Sequence, residues 1–445
     1  MAYINVLQLA NGLGIGGMEK TLQLYAKYLN KDIFSVVVAG WDQGGVRERE
    51  IRQNGIEVYI LGKCKKKLTE LMKSKKIHIL HIHQHATMDK AIVEAAIESG
   101  VRAIVGTNVF ERFDRNVCDR IDVTLLISKL SAINYRRYLN MSWKDFWKKN
   151  RVLYNPIDLS EFALSQDPNY KSEVRRKFAI PDNALVVGSV RRPSPSKWGD
   201  LFFKMLPILT NRKPGVALAF KGLPREIRYR LDAMRLPNRK IFMEASLDVC
   251  EFYTLIDVLA YSSVIGESFG IVLAEAMACS TPIVCNSTPL RYNSQIEVVD
   301  HNLTGFIVYG KESFAEAVIE LLENKNLRVI MGNNGRMKVI ENYEVQKNTI
   351  QLEKIYIDVL RRKGLRVPEK VIDNYNEIRC FPSLEEVKSF EREYGRSLRM
   401  CYGKPSYADI YGYELFLRHG KIWKVVYAIH RLVERFKSDK GSIGG

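Results

Sequence analysis

Short apolar runs alternate with longer amphipathic stretches along the chain. VLQLA (6–10), FSVVVAGW (34–41), IEVYILG (56–62), IHILHIH (77–83), RAIVGT (102–107) and DVTLLIS (122–128) are separated by segments of helical length. This rhythm predicts parallel strands joined by crossover helices. Near-continuous rather than alternating hydrophobicity means strands covered on both faces, as in a doubly wound sheet. The pattern breaks after RVLYNPIDLSEF and restarts with LVVGSV (185–190), VALAFKG (216–222), KIFMEA (240–245), DVLAYSS (257–263) and PIVCNST (282–288). The expectation is therefore an α/β chain with two Rossmann-like domains, residues 1–165 and 166–345, joined near 155–180. Helical periodicity in YEVQKNTIQLEKIYIDVLRRK predicts a closing helix over 346–365 that completes the second domain. Residues 366–445 form a charged, Tyr-rich C-terminal extension. Within it, Ile422, Val425, Val426, Ile429, Leu432, Val433 and Phe436 recur at three and four, flanked by Lys421, Lys424, Arg431 and Arg435, which predicts a basic amphipathic helix.

Composition narrows the class. The 445 residues are 46% hydrophobic and 27% charged, ordinary for globular domains and incompatible with a collagenous or wholly disordered chain. Lys plus Arg outnumber Asp plus Glu by 68 to 50, and the net charge of +18 predicts attraction to polyanions: nucleic acid, anionic membrane or phosphorylated substrate. Seven scattered cysteines without a Cys-x-x-Cys pair point to a reducing compartment rather than a disulfide or zinc scaffold. The start MAYINVLQLANGLGIGG has neither a basic n-region nor a sustained apolar stretch, so a cytoplasmic location is expected. The lysines between positions 63 and 76, and Trp143 to Lys149 with its mixed aromatics and cations, read either as solvated helix faces or as a peripheral docking surface for the cytoplasmic face of an anionic membrane. The apolar face of the C-terminal helix fits that surface or packing on the first domain.

Two motifs carry candidate chemistry. Directly after the first strand, Gly12, Gly14 and Gly17 satisfy G-x-G-x-x-G before a helix from Met18 to Leu29. Glycines admit a phosphate close to the backbone, and a helix N-terminus presents N–H groups and positive dipole to it. On spacing alone this fits a nicotinamide-dependent oxidoreductase, with Asp42 as the ribose acid, or a tight turn that needs small residues. The second motif is GESFGIVLAEAMACSTPIV (266–284), with seven residues between Glu267 and Glu275 and Gly270 opening a helical run. The amides from Phe269 to Ile271 suit a diphosphate, and Glu275 lies roughly 7 Å further along the axis, the right displacement to grip a ribose diol. Glu267, in the loop before the helix, faces the sugar or the acceptor. Two glutamates at a helix start also simply complement its dipole.

Together with VLYNPIDLSEF, VGSVRRPSPSKWG and the closing KIYIDVL, these segments resemble glycosyltransferase family 4, a retaining group with the GT-B fold, from Asn5 to Arg362. The resemblance implies two Rossmann-like domains facing a cleft. It implies a retaining transfer of a sugar from a UDP- or GDP-linked donor to a glycan, lipid-linked or other hydroxyl acceptor. Glu275 would bind the ribose and Glu267 the donor sugar, with Phe269, Gly270 and Ile271 near sugar and diphosphate. Gly16 and Gly17 would contact the donor from the first domain, and Ser246 and Leu247 lie in the loop expected at the base. The family clamps the diphosphate with an Arg and a Lys five residues apart, a spacing met by Arg192 and Lys197; Arg191 is the alternative. Fixed cations stabilise the leaving diphosphate, and no Asp-x-Asp motif occurs, so no metal or other cofactor is expected. The family often carries a His after the fifth strand, where this chain has Thr107 and Asn108. Asn108 hydrogen-bonds but cannot act as a base. His81, His83 and His85 share one strand face. They lack the carboxylate or Cys companions of a metal site, so a structural or acceptor-side role is expected for His83. The rival functions are the oxidoreductase and a non-catalytic polyanion-binding protein on a transferase fold, although nucleic acid is not the expected partner.

Overall fold

The computed structural model describes residues 4–84, 89–110, 117–181, 183–289 and 291–403. The first domain is a seven-stranded parallel sheet in the order β3-β2-β1-β4-β5-β6-β7. Its strands are β1 Ile4–Ala10, β2 Phe34–Gly40, β3 Glu57–Ile60, β4 Ile79–Gln84, β5 Ala103–Asn108, β6 Val123–Leu126 and β7 Asn150–Val152. The second is a six-stranded parallel sheet, β10-β9-β8-β11-β12-β13, built from β8 Val186–Val190, β9 Ala217–Lys221, β10 Lys240–Met243, β11 Val258–Tyr261, β12 Ile283–Asn286 and β13 Gly305–Val308. All residues of β8, β9, β11, β12 and β13 are buried. Both faces are covered by helices, which is why these strands read as unbroken apolar runs. The expected two-domain GT-B architecture is what the chain adopts.

The domain boundaries differ from the sequence expectation in two ways. The chain crosses between domains at Ile157, because Phe162 in the 3-10 turn Leu159–Gln166 already packs with Val174, Ile180 and Tyr253 of the second domain. The closing helix, Val345–Arg362, does not complete the second domain. Its Leu352, Ile355, Tyr356, Val359 and Leu360 enter the first domain's core with Ile4, Val6, Ile79 and Val105. Periodicity locates an apolar face but not the sheet that receives it. The outward and return crossings run side by side: Ile157 N–H donates to the Tyr343 carbonyl (2.7 Å) and Val345 N–H to the Ile157 carbonyl (3.0 Å).

Beyond the return helix, the helix Leu384–Ser397 opens on a capping box, Ser383 with Glu386, and straps the two domains together. Its Glu391 binds Arg136 and Arg137 (both 2.8 Å) and the Trp143 indole N–H (2.9 Å) on the first domain. Its Tyr394 hydroxyl accepts from the Asn293 amide (3.0 Å) on the second. His85 and the amphipathic stretch 413–437 lie outside the described residues.

Candidate active site

Each sheet reverses its strand order beside its first strand, at β2-β1-β4 and at β9-β8-β11. Open α/β sheets form their ligand crevices beyond the carboxyl ends of strands at such points. From β1 the chain enters the glycine turn and then the helix Gly17–Tyr28; from β8 it enters the loop holding Arg191, Arg192 and Lys197. The glycine turn is backed by a second glycine loop. Leu13 N–H donates to the Gly44 carbonyl (3.2 Å), Arg47 N–H donates to the Leu13 carbonyl (3.1 Å), and a Cβ at Gly45 would lie 2.3 Å from the Leu13 oxygen.

The two domains meet where two helix N-termini converge. A Cβ at Gly17 would fall 2.7 Å from Ile271 Cδ1 across the cleft, so glycine permits this approach. The helix Ile271–Ala278 starts at Gly270 (φ +93°), which has no side chain to cap the first-turn amides, and Gly16 likewise offers none to the first helix. Both positive helix ends therefore face one space. Phe269 contributes only backbone to it. Its ring is buried against Tyr343 and Tyr154, with centroids 5.1 and 6.0 Å away.

Both glutamates of the second motif line this cleft and both are held by tyrosines. Glu267 accepts from the Tyr261 hydroxyl (2.6 Å), and its backbone N–H donates to Gln295 Oε1 (2.9 Å). Glu275, 5% exposed, accepts from the Tyr253 hydroxyl at Oε2 (3.0 Å) and from Lys20 Nζ at Oε1 (2.8 Å). Lys20 projects from the first domain and also binds Glu161 (2.7 Å). Burial alone would lower the Lys20 pKa, but the charges of Glu275 and Glu161 outweigh it and hold the ammonium well above its ordinary value. Burial, reinforced by the adjacent carboxylate, raises both tyrosine hydroxyls well above theirs.

Arg191, Arg192, Lys197 and Lys221 supply positive charge on the second-domain wall. Arg191 is buried, with its guanidinium donating to the Lys197 carbonyl (2.7 Å) and the Ser262 carbonyl and lying over the rings of Tyr261 (4.7 Å) and Trp198 (5.1 Å). It builds the loop. Arg192 is exposed beside it, so the pair free to grip an anion is Arg192 with Lys197.

Other sequence candidates land elsewhere. Ser246, Leu247, Gly270, Ile271 and Gly17 line the cleft, whereas Gly16, Asn108 and His83 are not among its lining residues. Along β5 the side chains alternate, so Thr107 faces the cleft while the Asn108 amide bonds Tyr135 on the first-domain helix Lys129–Leu139. His83 is fully buried, its Nε2 2.6 Å from Gln8 Oε1, and stacks near His81, which bridges the Tyr356 hydroxyl (2.6 Å) and Thr107 (2.8 Å). Asp42, the candidate ribose acid of an oxidoreductase, pairs with Lys63 (2.7 Å) outside the cleft lining. Tyr253, Tyr261, Gln295, Lys20 and Lys221 carried no signal in the sequence, because their relevance is a matter of which strand ends and helix faces become neighbours. Much of the basic cluster near α-helical Lys65–Ser74 is paired: Lys65 with Glu94 and Glu98, Lys75 with Glu57. No described helix is long and apolar enough to cross a membrane.

Residues 171–338 match the family described as Glycosyl transferases group 1. An uncharacterized glycosyltransferase of Methanocaldococcus jannaschii is 27% identical over 223 residues, 48% of this chain and 56% of that protein. The N-acetyl-alpha-D-glucosaminyl L-malate synthase of Bacillus anthracis is 35% identical over 130 residues, 29% of this chain and 33% of that one. The chain thus spans about half or less of the length of these curated relatives. Among solved structures, Anabaena HepE in complex with UDP and glucose superposes with a TM-score of 0.66 at 19% identity, covering 79% of this chain and 99% of that one, a likeness of fold.

Proposed function

For a chain whose residues 171–338 match the group 1 glycosyl transferases, we propose a retaining, metal-independent transfer of a sugar from a UDP- or GDP-linked donor to a hydroxyl of a glycan or lipid-linked acceptor. The observation that carries this reading is the convergence of two uncapped helix N-termini, at Gly17 and Ile271, with Arg192 and Lys197 beside them and Glu267 and Glu275 on one wall. Oriented N–H groups and cations meet the charge that develops on a departing diphosphate without reorganising. The anomeric carbon–oxygen bond to the diphosphate breaks, the acceptor oxygen bonds the same face, and the acceptor proton passes to a donor phosphate oxygen. Glu267, positioned by Tyr261 and Gln295, orients the sugar. Glu275, with each oxygen holding one protein donor, has lone pairs left for the ribose diol. Anabaena HepE was solved with UDP, which supports uridine as the first base to try.

Thermal stabilisation across UDP, GDP, their sugar conjugates, NAD and NADP, with and without EDTA, tests the reading, since a ligand of the native state raises Tm by mass action. A shift with UDP or GDP compounds that survives EDTA is expected. A shift with NAD or NADP alone returns the oxidoreductase. Arg192→Ala, Lys197→Ala and Glu267→Ala should each abolish transfer while leaving the melting of the free protein unchanged; full activity in all three sinks the assignment.

A further inference from the structure

Lys221 ends β9 and is 5% exposed, yet it lines the cleft. Its ammonium donates to Ser246 Oγ (2.7 Å) and to the Glu244 carbonyl (3.1 Å), both uncharged oxygens. Ser246 in turn donates to the Asp248 carbonyl (2.7 Å), so the hydroxyl is committed as an acceptor for the lysine. An ammonium has three donors, and the third is left for the cleft. Among the described residues, no carboxylate lies within the 4.0 Å of an ion pair with Lys221 Nζ; Asp248 and Glu251 act on it from beyond that distance. Buried charges in proteins are ordinarily paired. A lysine in a cleft wall with neutral oxygens on two donors and no counter-ion is paired by whatever the cleft binds.

Its place along the sheet says which part of the ligand that is. Lys221 stands opposite Val190 of β8 and Met243 of β10. On one side the chain continues from β8 into Arg192 and Lys197, and on the other from β10 into Ser246 and Leu247. Resting on the nucleotide-sugar reading above, the clamp at β8 holds the sugar-side phosphate and the loop at β10 flanks the base. The strand between them meets the phosphate that adjoins the nucleoside. We propose that Lys221 is a third cation of the donor seat, binding this α-phosphate. Gly222, with φ +74° and an ideal Cβ 2.2 Å from the Arg191 carbonyl oxygen, locks the chain immediately after it, so the lysine is held at a fixed height against the clamp loop.

The test is calorimetry and saturation-transfer NMR on the full chain with uridine, UMP and UDP, and with guanosine, GMP and GDP. Wild type is compared with Lys221→Met, Lys221→Gln and Lys221→Arg. Loss of one charge-assisted contact predicts about tenfold weaker binding of UMP or GMP in the Met and Gln variants, nucleoside binding within about twofold of wild type, and recovery in Lys221→Arg. Glutamine keeps a donor for Ser246 without the charge, so it separates the phosphate contact from support of the loop. Unchanged monophosphate affinity in Lys221→Gln overturns the proposal, as does an equal loss for nucleoside and monophosphate. If wild type binds none of the six probes, the proposed function fails and the phosphate role fails with it; if wild type binds and Lys221→Gln matches it, only the role of Lys221 falls.

Discussion

At the scale of single residues, the site depends on buried polar groups whose partners come from distant parts of the chain. Lys20 and Glu275 are 255 positions apart and 2.8 Å from each other. Removing one partner of a buried ion pair strands the other, at a cost of about 3–5 kcal/mol. Lys20→Met should lower stability by that order in urea unfolding, and the double variant with Glu275→Gln should lose far less than the sum, the signature of direct coupling. Acid sensitivity has an equally local origin. Burial pushes the His83 imidazole down to about 3, against the weaker opposing charge of Glu19, and holds His81 well below its ordinary value of 6.5. Unfolded, both rings take up a proton below pH 6.5; folded, they stay neutral. The His83 contribution is therefore full above pH 6.5 and is lost as pH falls from there toward 3, at about 1.4 kcal/mol per pH unit, and the His81 contribution is lost in the same direction below pH 6.5. Urea midpoints measured between pH 7 and 4 should show this slope, and His83→Gln should reduce it by one ring's share.

At the scale of elements, the decisive contact is between two helix starts. The strand rhythm, the glycine turn and the paired glutamates were all legible along the chain, because a period of two or 3.6 and a need for small residues are local properties. Which glycine matters is not local. Gly17 is required by Ile271, from the other domain, and the clash of a Cβ there is with the mobile end of a side chain. Gly17→Ala should therefore leave Tm within a few degrees while weakening binding of a nucleoside diphosphate. Adding Ile271→Val, which deletes the clashing Cδ1, should restore it; calorimetry on the single and double variants checks this. Asn108 shows the converse limit. It is the last residue of β5, and the alternation of the strand turns its amide to Tyr135 and gives the cleft Thr107 instead.

At the scale of the whole molecule, the two domains are fastened by more than their two chain crossings. Glu297 of the second domain accepts from the N–H groups of Lys129 (3.0 Å) and Leu130 (3.1 Å), at the start of a first-domain helix, and from the Tyr154 hydroxyl (2.7 Å). Ser128 and Ser294 hydroxyls meet beside it at 2.8 Å. A carboxylate at a helix N-terminus is favoured by the dipole as well as by the hydrogen bonds. Glu297→Ala should loosen the domains relative to each other, seen as a larger radius of gyration in X-ray scattering, and cost about 2 kcal/mol through the unpaired N–H groups.

By itself the sequence determined two doubly wound domains, eleven of the thirteen described strands (all but β7 and β13, the short last strand of each sheet), the glycine turn, the glutamate pair and the Arg192–Lys197 spacing, since each is written in short-range pattern. Only the tertiary structure decided that the helix Val345–Arg362 returns to the first domain, that Arg191 is consumed in building the clamp loop, and that Lys20, Tyr253 and Tyr261 hold the glutamates. An apolar helix face fits any complementary sheet, and a buried charge any opposite one. The choice among them is made by which segments the fold brings within a few ångströms.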